Sequence, residues 1–253
     1  MSVIRSACSV CALLWLVACA DRAENAAQNA ADSTAMAQDS APEPAAIPAA
    51  PVADSGAAKL LPVDEADSAF AEFRRRALRA LQQRDTAFLY GMLAPEIKNS
   101  FGGDDSIAGF KRIWKMDRPA ASQVWQALTR VLTLGGTMQG ATFTAPYVFA
   151  RWPDGIDPFQ HVAVTDENVA AYAQPDPTTE VMGRLSHSIL PVAEWQGLAD
   201  SGIPLPTAFA RVRLPDGRNA WVRGAQVYSP VGWRAFFERR NDRWVMTLFV
   251  AGD

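Results

Sequence analysis

Beyond residue 19 the chain contains no cysteine. Cys8, Cys11 and Cys19 are its only three, so residues 20–253 form no disulfide and supply no thiol nucleophile. Histidine is almost as scarce. His161 and His187 stand alone, too thin a set for a zinc site. Cationic excess is missing as well: 24 Lys and Arg against 27 Asp and Glu leave a net charge of −3. A nucleic-acid partner would want a basic patch. The apolar stretch from Val10 to Ala18 falls far short of the roughly 20 residues of a membrane-spanning helix. There is no Gly-x-Ser-x-Gly nucleophile elbow. "SFGGDDSIAGFK" lacks the spacing and the lysine of a phosphate-binding loop. These absences imply no metal and no cofactor.

At the N-terminus, Arg5 precedes the short apolar stretch, which ends in Leu16-Val17-Ala18-Cys19. A basic start, a short apolar run and small residues at its end read as a secretory signal. The four final residues resemble the lipobox of bacterial lipoproteins. That resemblance implies removal of residues 1–18 and lipid on Cys19, and several acyl chains anchor stably where one does not. Ala20, in place of the aspartate of inner-membrane retention, implies an outer-membrane lipoprotein facing the periplasm. Residues 19–62 are rich in alanine, carry prolines from Pro42 to Pro51 and hold no aromatic residue. Such a composition buries too little surface to offset chain entropy and reads as a disordered tether. As a flexible coil it would reach roughly 40 Å.

Helical spacing begins with the folded body. Phe70, Phe73, Ala77, Leu78 and Leu81 form one stripe, with Asp64 as the expected N-cap and Asp67 in the first turn. The nearby arginines, from Arg74 to Arg84, read as a solvated face, with an anionic-lipid patch as the alternative. "DTAFLYGMLAPE" predicts a short helix capped by Asp85. A turn at Gly102-Gly103 leads to a helix capped by Asp105 or Ser106 that buries Ile107, Phe110 and Trp114. Val124, Leu128, Val131 and Leu132 define a fourth helix, stopped at Gly135. From Thr142 the period changes to short Val-, Ala- and aromatic-rich runs separated by Pro, Gly and Asp turns. "TFTAPYVFARW" reads as a strand over 142–152, and the tail "WRAFFERRNDRWVMTLFVAGD" as a hairpin reversing at Asn241-Asp242. A lone hairpin is marginal, so the two are expected to share one sheet with the helices packed on it.

Between them, "ENVAAYAQPDPTTEVMGRLSHSILPVAEW" and "FARVRLPDGRNAWV" resemble the bacterial SH3-like (SH3b) domain. Asn168, Val169, Pro175, Gly183, Leu185, Trp195, Gly217, Trp221 and Val222 carry the likeness, over about residues 160–228. Ala170 and Ala220 depart from it, where the family has arginine and glycine. The expected fold is therefore α+β: a helical part with a small sheet over 63–155, joined by the 229–253 hairpin, plus an SH3-like β-barrel over 156–228. The resemblance implies a binding or adaptor module of the cell envelope, recognising a peptidoglycan peptide or an envelope protein. Tyr172, Trp195, Phe209 and Trp221 are the residues expected to line its groove. The alternative is a cell-wall or glycan hydrolase using carboxylates on the helical part; outside it, Asp154, Asp157, Asp166, Glu167 and Asp216 are the carboxylates from which a glycosidase pair would come. Each of these sits in a turn-like context. His187 is expected half-exposed on a strand, on the same face as Leu185.

Overall fold

A computed structural model describes residues 52–63, 67–198 and 202–252. Cys19, the signal and the tether up to residue 51 lie outside the described residues, as does Asp64. Helix α1 (Ser68–Gln82) buries Phe70, Phe73, Ala77 and Leu81 along one stripe. Its cap is Asp67, not Asp64: the Asp67 carboxylate accepts the Phe70 N–H at 2.7 Å, which places Asp67 outside the first turn. Helix α2 (Thr86–Gly91) is capped by Asp85. Where the sequence suggests only a helix end before Pro95, the chain forms strand β1 (Leu93–Lys98). Helix α3 (Ile107–Ile113) is capped by Ser106. Helix α4 (Val124–Thr133) ends before Gly135, whose φ of +68° suits glycine. Strands β2 (Thr137–Gln139) and β3 (Thr142–Ala145) follow. The strand expected over 142–152 stops at Ala145, and a helical turn, α5 (Tyr147–Ala150), begins after Pro146. Proline offers no N–H to continue a ladder.

Seven short strands come next: β4 (His161–Val164), β5 (Val169–Tyr172), β6 (Val181–Leu185), β7 (Ile189–Leu198), β8 (Pro204–Arg213), β9 (Asn219–Arg223) and β10 (Val227–Tyr228). They form one antiparallel sheet in the order β10-β4-β7-β8-β9-β5-β6, curled into a half-barrel. Strands β11 (Arg234–Arg240) and β12 (Arg243–Val250) make the C-terminal hairpin, with Asn241 and Asp242 both at positive φ in its two-residue turn. The second sheet runs β1-β12-β11-β3-β2, with β1 parallel to β12 and the other pairs antiparallel. The molecule is thus α+β.

The pairing of Thr142–Ala145 with the hairpin sets Phe143 opposite Phe237. Helices pack on that sheet through rings. Phe70 stacks on Phe143 with centroids 3.6 Å apart and meets Phe237 and Trp244 edge-on. Trp114 stacks on Phe249 at 5.3 Å. The half-barrel has a separate core of Val162, Val164, Leu185, Leu190, Val212 and Val222 with small alanines.

Residues 52–62 do not behave as tether. Val52 bridges Arg184 in parallel and Lys59 bridges Ser188. The Ala53 N–H donates to the Arg184 carbonyl and the Leu60 N–H to that of His187, and Leu60 is buried. Small alanines let this backbone lie against the edge of β6, and Asp54 and Leu60 give it fixed anchors that average composition conceals.

Candidate functional site

The four aromatics singled out from sequence do not form one groove. Ala210, Val212, Ala220 and Val222 belong to the half-barrel core, so the residues alternating with them turn the other way. Phe209, Arg211 and Trp221 share that outer face. Tyr172 lies opposite Trp221 across β5 and β9, and its ring meets Phe209 at 6.3 Å, nearly perpendicular. The Arg211 guanidinium lies 5.9 Å from the Trp221 ring and pairs with Glu194 at 2.8 Å. Phe209 and Trp221 are nonetheless buried, and Tyr172 is half-buried. Trp195 pairs with Ala210 and packs against the half-barrel core, on the face away from the other three.

Trp195 instead lines an apolar cleft of about 240 Å³. Tyr228, Trp233, Ile203 and Pro204 form its other walls, and Arg130 enters from α4. Arg130 Nη2 donates to the Gly224 carbonyl at 2.7 Å and to that of Val227. Its guanidinium lies 5.1 Å from the Tyr228 ring. The Tyr228 hydroxyl donates to the Trp233 carbonyl. Burial holds Arg130 below its ordinary value, against the opposing attraction of Tyr228 and Asp166. Burial also pushes the Tyr228 phenol up, with Arg130 and Arg234 opposing. Trp233 also borders a second hollow of about 480 Å³, lined by Trp114, Lys115, Arg118 and Ser122. The Trp114 and Trp233 rings lie 4.6 Å apart, so aromatic surface links the two hollows.

Sequence reasoning missed Arg130, Tyr228 and Trp233. Arg130 carried one signal: it lies three residues after buried Ala127 and one before buried Val131, at the margin of the apolar stripe of α4. Trp233 and Tyr228 flank a Ser-Pro-Val-Gly connection whose path only the packed structure fixes.

The histidines and carboxylates have local roles. His187 is not half-exposed on a strand. It is buried in the turn between β6 and β7 with φ of +48°, and its Nδ1 has no partner among the described residues. Its Nε2 lies 3.6 Å from Glu167. The serines on either side belong to a latch on Asp54. Ser188 and the Ser186 N–H donate to that carboxylate, and Lys59 Nζ donates to it at 2.6 Å. Burial would raise the Asp54 carboxyl, but these hydrogen bonds and the lysine charge reverse that and hold it below the usual range. Lys59 also reaches Ser188 Oγ at 3.1 Å, a spacing that suggests nucleophile chemistry, yet Ser188 has no exposed surface. Asp157 accepts the Phe159 N–H and Asp216 the Arg218 N–H, both closing turns. His161 Nδ1 lies 2.9 Å from the Asp157 carbonyl. Asp154 and Asp166 are exposed.

No family model matches the chain, and no curated protein or solved structure matches it either.

Proposed function

We propose that this chain is a non-enzymatic binding module of the cell envelope, carried on the outer membrane by lipid at Cys19 and facing the periplasm. Residues 156–228 act in it as an SH3-like barrel that recognises a peptide or cell-wall partner. One observation carries the binding role: the cleft walled by Trp195, Tyr228 and Trp233. Rigid aromatic walls with a few placed polar groups are what small binding sites use to hold peptide side chains. Tyr172, Phe209 and Trp221 lie on the outer face of the same sheet, away from the cleft, where their rings are largely covered. The anchor rests on the lipobox-like Leu16-Val17-Ala18-Cys19.

Purified protein incubated with isolated cell-wall sacculi and with envelope peptides tests the binding role. Wild type is expected to retain material intact, and Trp195→Ala to retain at least about tenfold less while melting within a few degrees. Release of soluble fragments by wild type would favour the carboxylate hydrolase instead. Cys19→Ser tests the anchor: the variant should leave the membrane fraction or stay uncleaved, and fractionation identical to wild type would reject lipidation.

A further inference from the structure

Arg130 is a cation in an apolar place. Its only acceptors among the described residues are two main-chain carbonyls, both taken by Nη2. Asp166 attracts it through space without forming an ion pair. Arg130 is half-buried, and a charge partly withdrawn from water is ordinarily paired, because desolvation costs more than neutral hydrogen bonds return. Nη1 and Nε remain without acceptors among the described residues, and Arg130 is one of the residues that line the cleft. The guanidinium is also fixed in place, held by two carbonyls and lying against the Tyr228 ring. With Nη2 committed to the two carbonyls, the N–H groups of Nη1 are left for a single charge-assisted contact, which suits one oxygen of a carboxylate.

We infer that the cleft takes the free C-terminus of a peptide, with Arg130 binding the terminal carboxylate and Trp195, Trp233 and Ile203 holding an apolar last side chain. The inference rests on the reading of the cleft as a peptide site. Cleft size sets the occupant. At about 240 Å³ it falls below the roughly 300–1,000 Å³ of sites that enclose a whole drug-sized ligand, so it accepts the end of a chain and not a length of one. Charge favours an acidic occupant as well. Lys115 and Arg118 border the adjoining hollow across Trp233, where upstream residues of the peptide would pass.

The test uses a peptide library with five randomised C-terminal residues, made once with free carboxylates and once as amides, and passed over the full chain. Wild type is expected to retain the carboxylate pool at least about tenfold over the amide pool, as a charge-assisted hydrogen bond supplies. Apolar last residues should be enriched. Arg130→Gln should abolish the preference, and Trp195→Ala should weaken both pools. Equal retention of the two pools by wild type overturns the inference; if Trp195→Ala then removes both, the peptide-site reading stands without it. Retention of amides that carry Asp or Glu assigns Arg130 to side-chain carboxylates and equally overturns the terminal one. Retention of neither pool overturns both readings. A preference surviving in folded Arg130→Gln rejects Arg130 as its source. Should that variant not fold, wild type decides: the carboxylate pool must protect Arg130 from phenylglyoxal, read by mass spectrometry, and the amide pool must not.

Discussion

The two cores of this molecule are built from different residues. Where helices lie on the five-stranded sheet, the core holds two clusters of packed rings, one of Phe70, Phe73, Phe143, Phe237 and Trp244 and one of Phe110, Trp114, Trp233 and Phe249. Inside the half-barrel the buried side chains are Val, Leu and Ala, and the aromatics sit outside it or at its rim. The difference is geometric. A helix layer leaves roughly 10 Å above a sheet, room for interleaved rings. A tightly curled sheet converges on its own axis and admits only small branched side chains. An aromatic ring therefore means different things in the two regions. In the layered part it is core. In the half-barrel it is displaced from the small-residue core to the outer face or the rim.

That contrast breaks most sharply in the layered core. Phe70→Ala, removing a fully buried ring that touches Phe143, Phe237 and Trp244, should cost about 4 kcal/mol by chemical denaturation. A loss under about 1 kcal/mol would mean that the ring cluster does not hold this region together. The converse substitution probes the half-barrel. Ala210→Leu adds volume where none is spare and should cost about 2–3 kcal/mol; a neutral result would show that the small core is loosely packed.

The Asp54 latch, which ties residues 52–60 to the half-barrel, is next in size. Asp54→Asn should cost about 2 kcal/mol at neutral pH. The folded carboxyl titrates below its unfolded value, so its stabilisation is complete above about pH 3.9 and is lost as pH falls through the lower folded value. Denaturation curves of wild type and variant should accordingly converge in acid, and a gap that persists there would rule out the ionic latch. Smallest is Tyr172→Ala. The ring is half-buried on the outer face, so the cost should stay within about 1 kcal/mol. A loss comparable to that of Phe70→Ala would return Tyr172 to the core and erase the distinction between the two regions.

Local chemistry is legible in the sequence. The stripes of α1 and α4, the Asp85 cap, the stop at Gly135 and the Asn241-Asp242 reversal all follow from spacing within a few residues. So does the expectation that a lone apolar hairpin must join another strand, which Thr142–Ala145 supplies. Strand β1 is hidden because Pro95 speaks against a strand; it is tolerated there because β1 lies at the sheet edge. The aromatics of the half-barrel can be named from sequence, but not the face that Trp195 takes, because the register shifts of β7 against β8 reset the alternation there. The site itself depends on contacts between residues far apart in the chain. Arg130 meets the carbonyls of Gly224 and Val227, and Asp54 meets Ser186 and Ser188. Periodicity reports which way a side chain leaves its own element. Whether it then meets a carbonyl, a ring or open space is decided by the neighbours that packing brings to it, and those only the tertiary structure supplies.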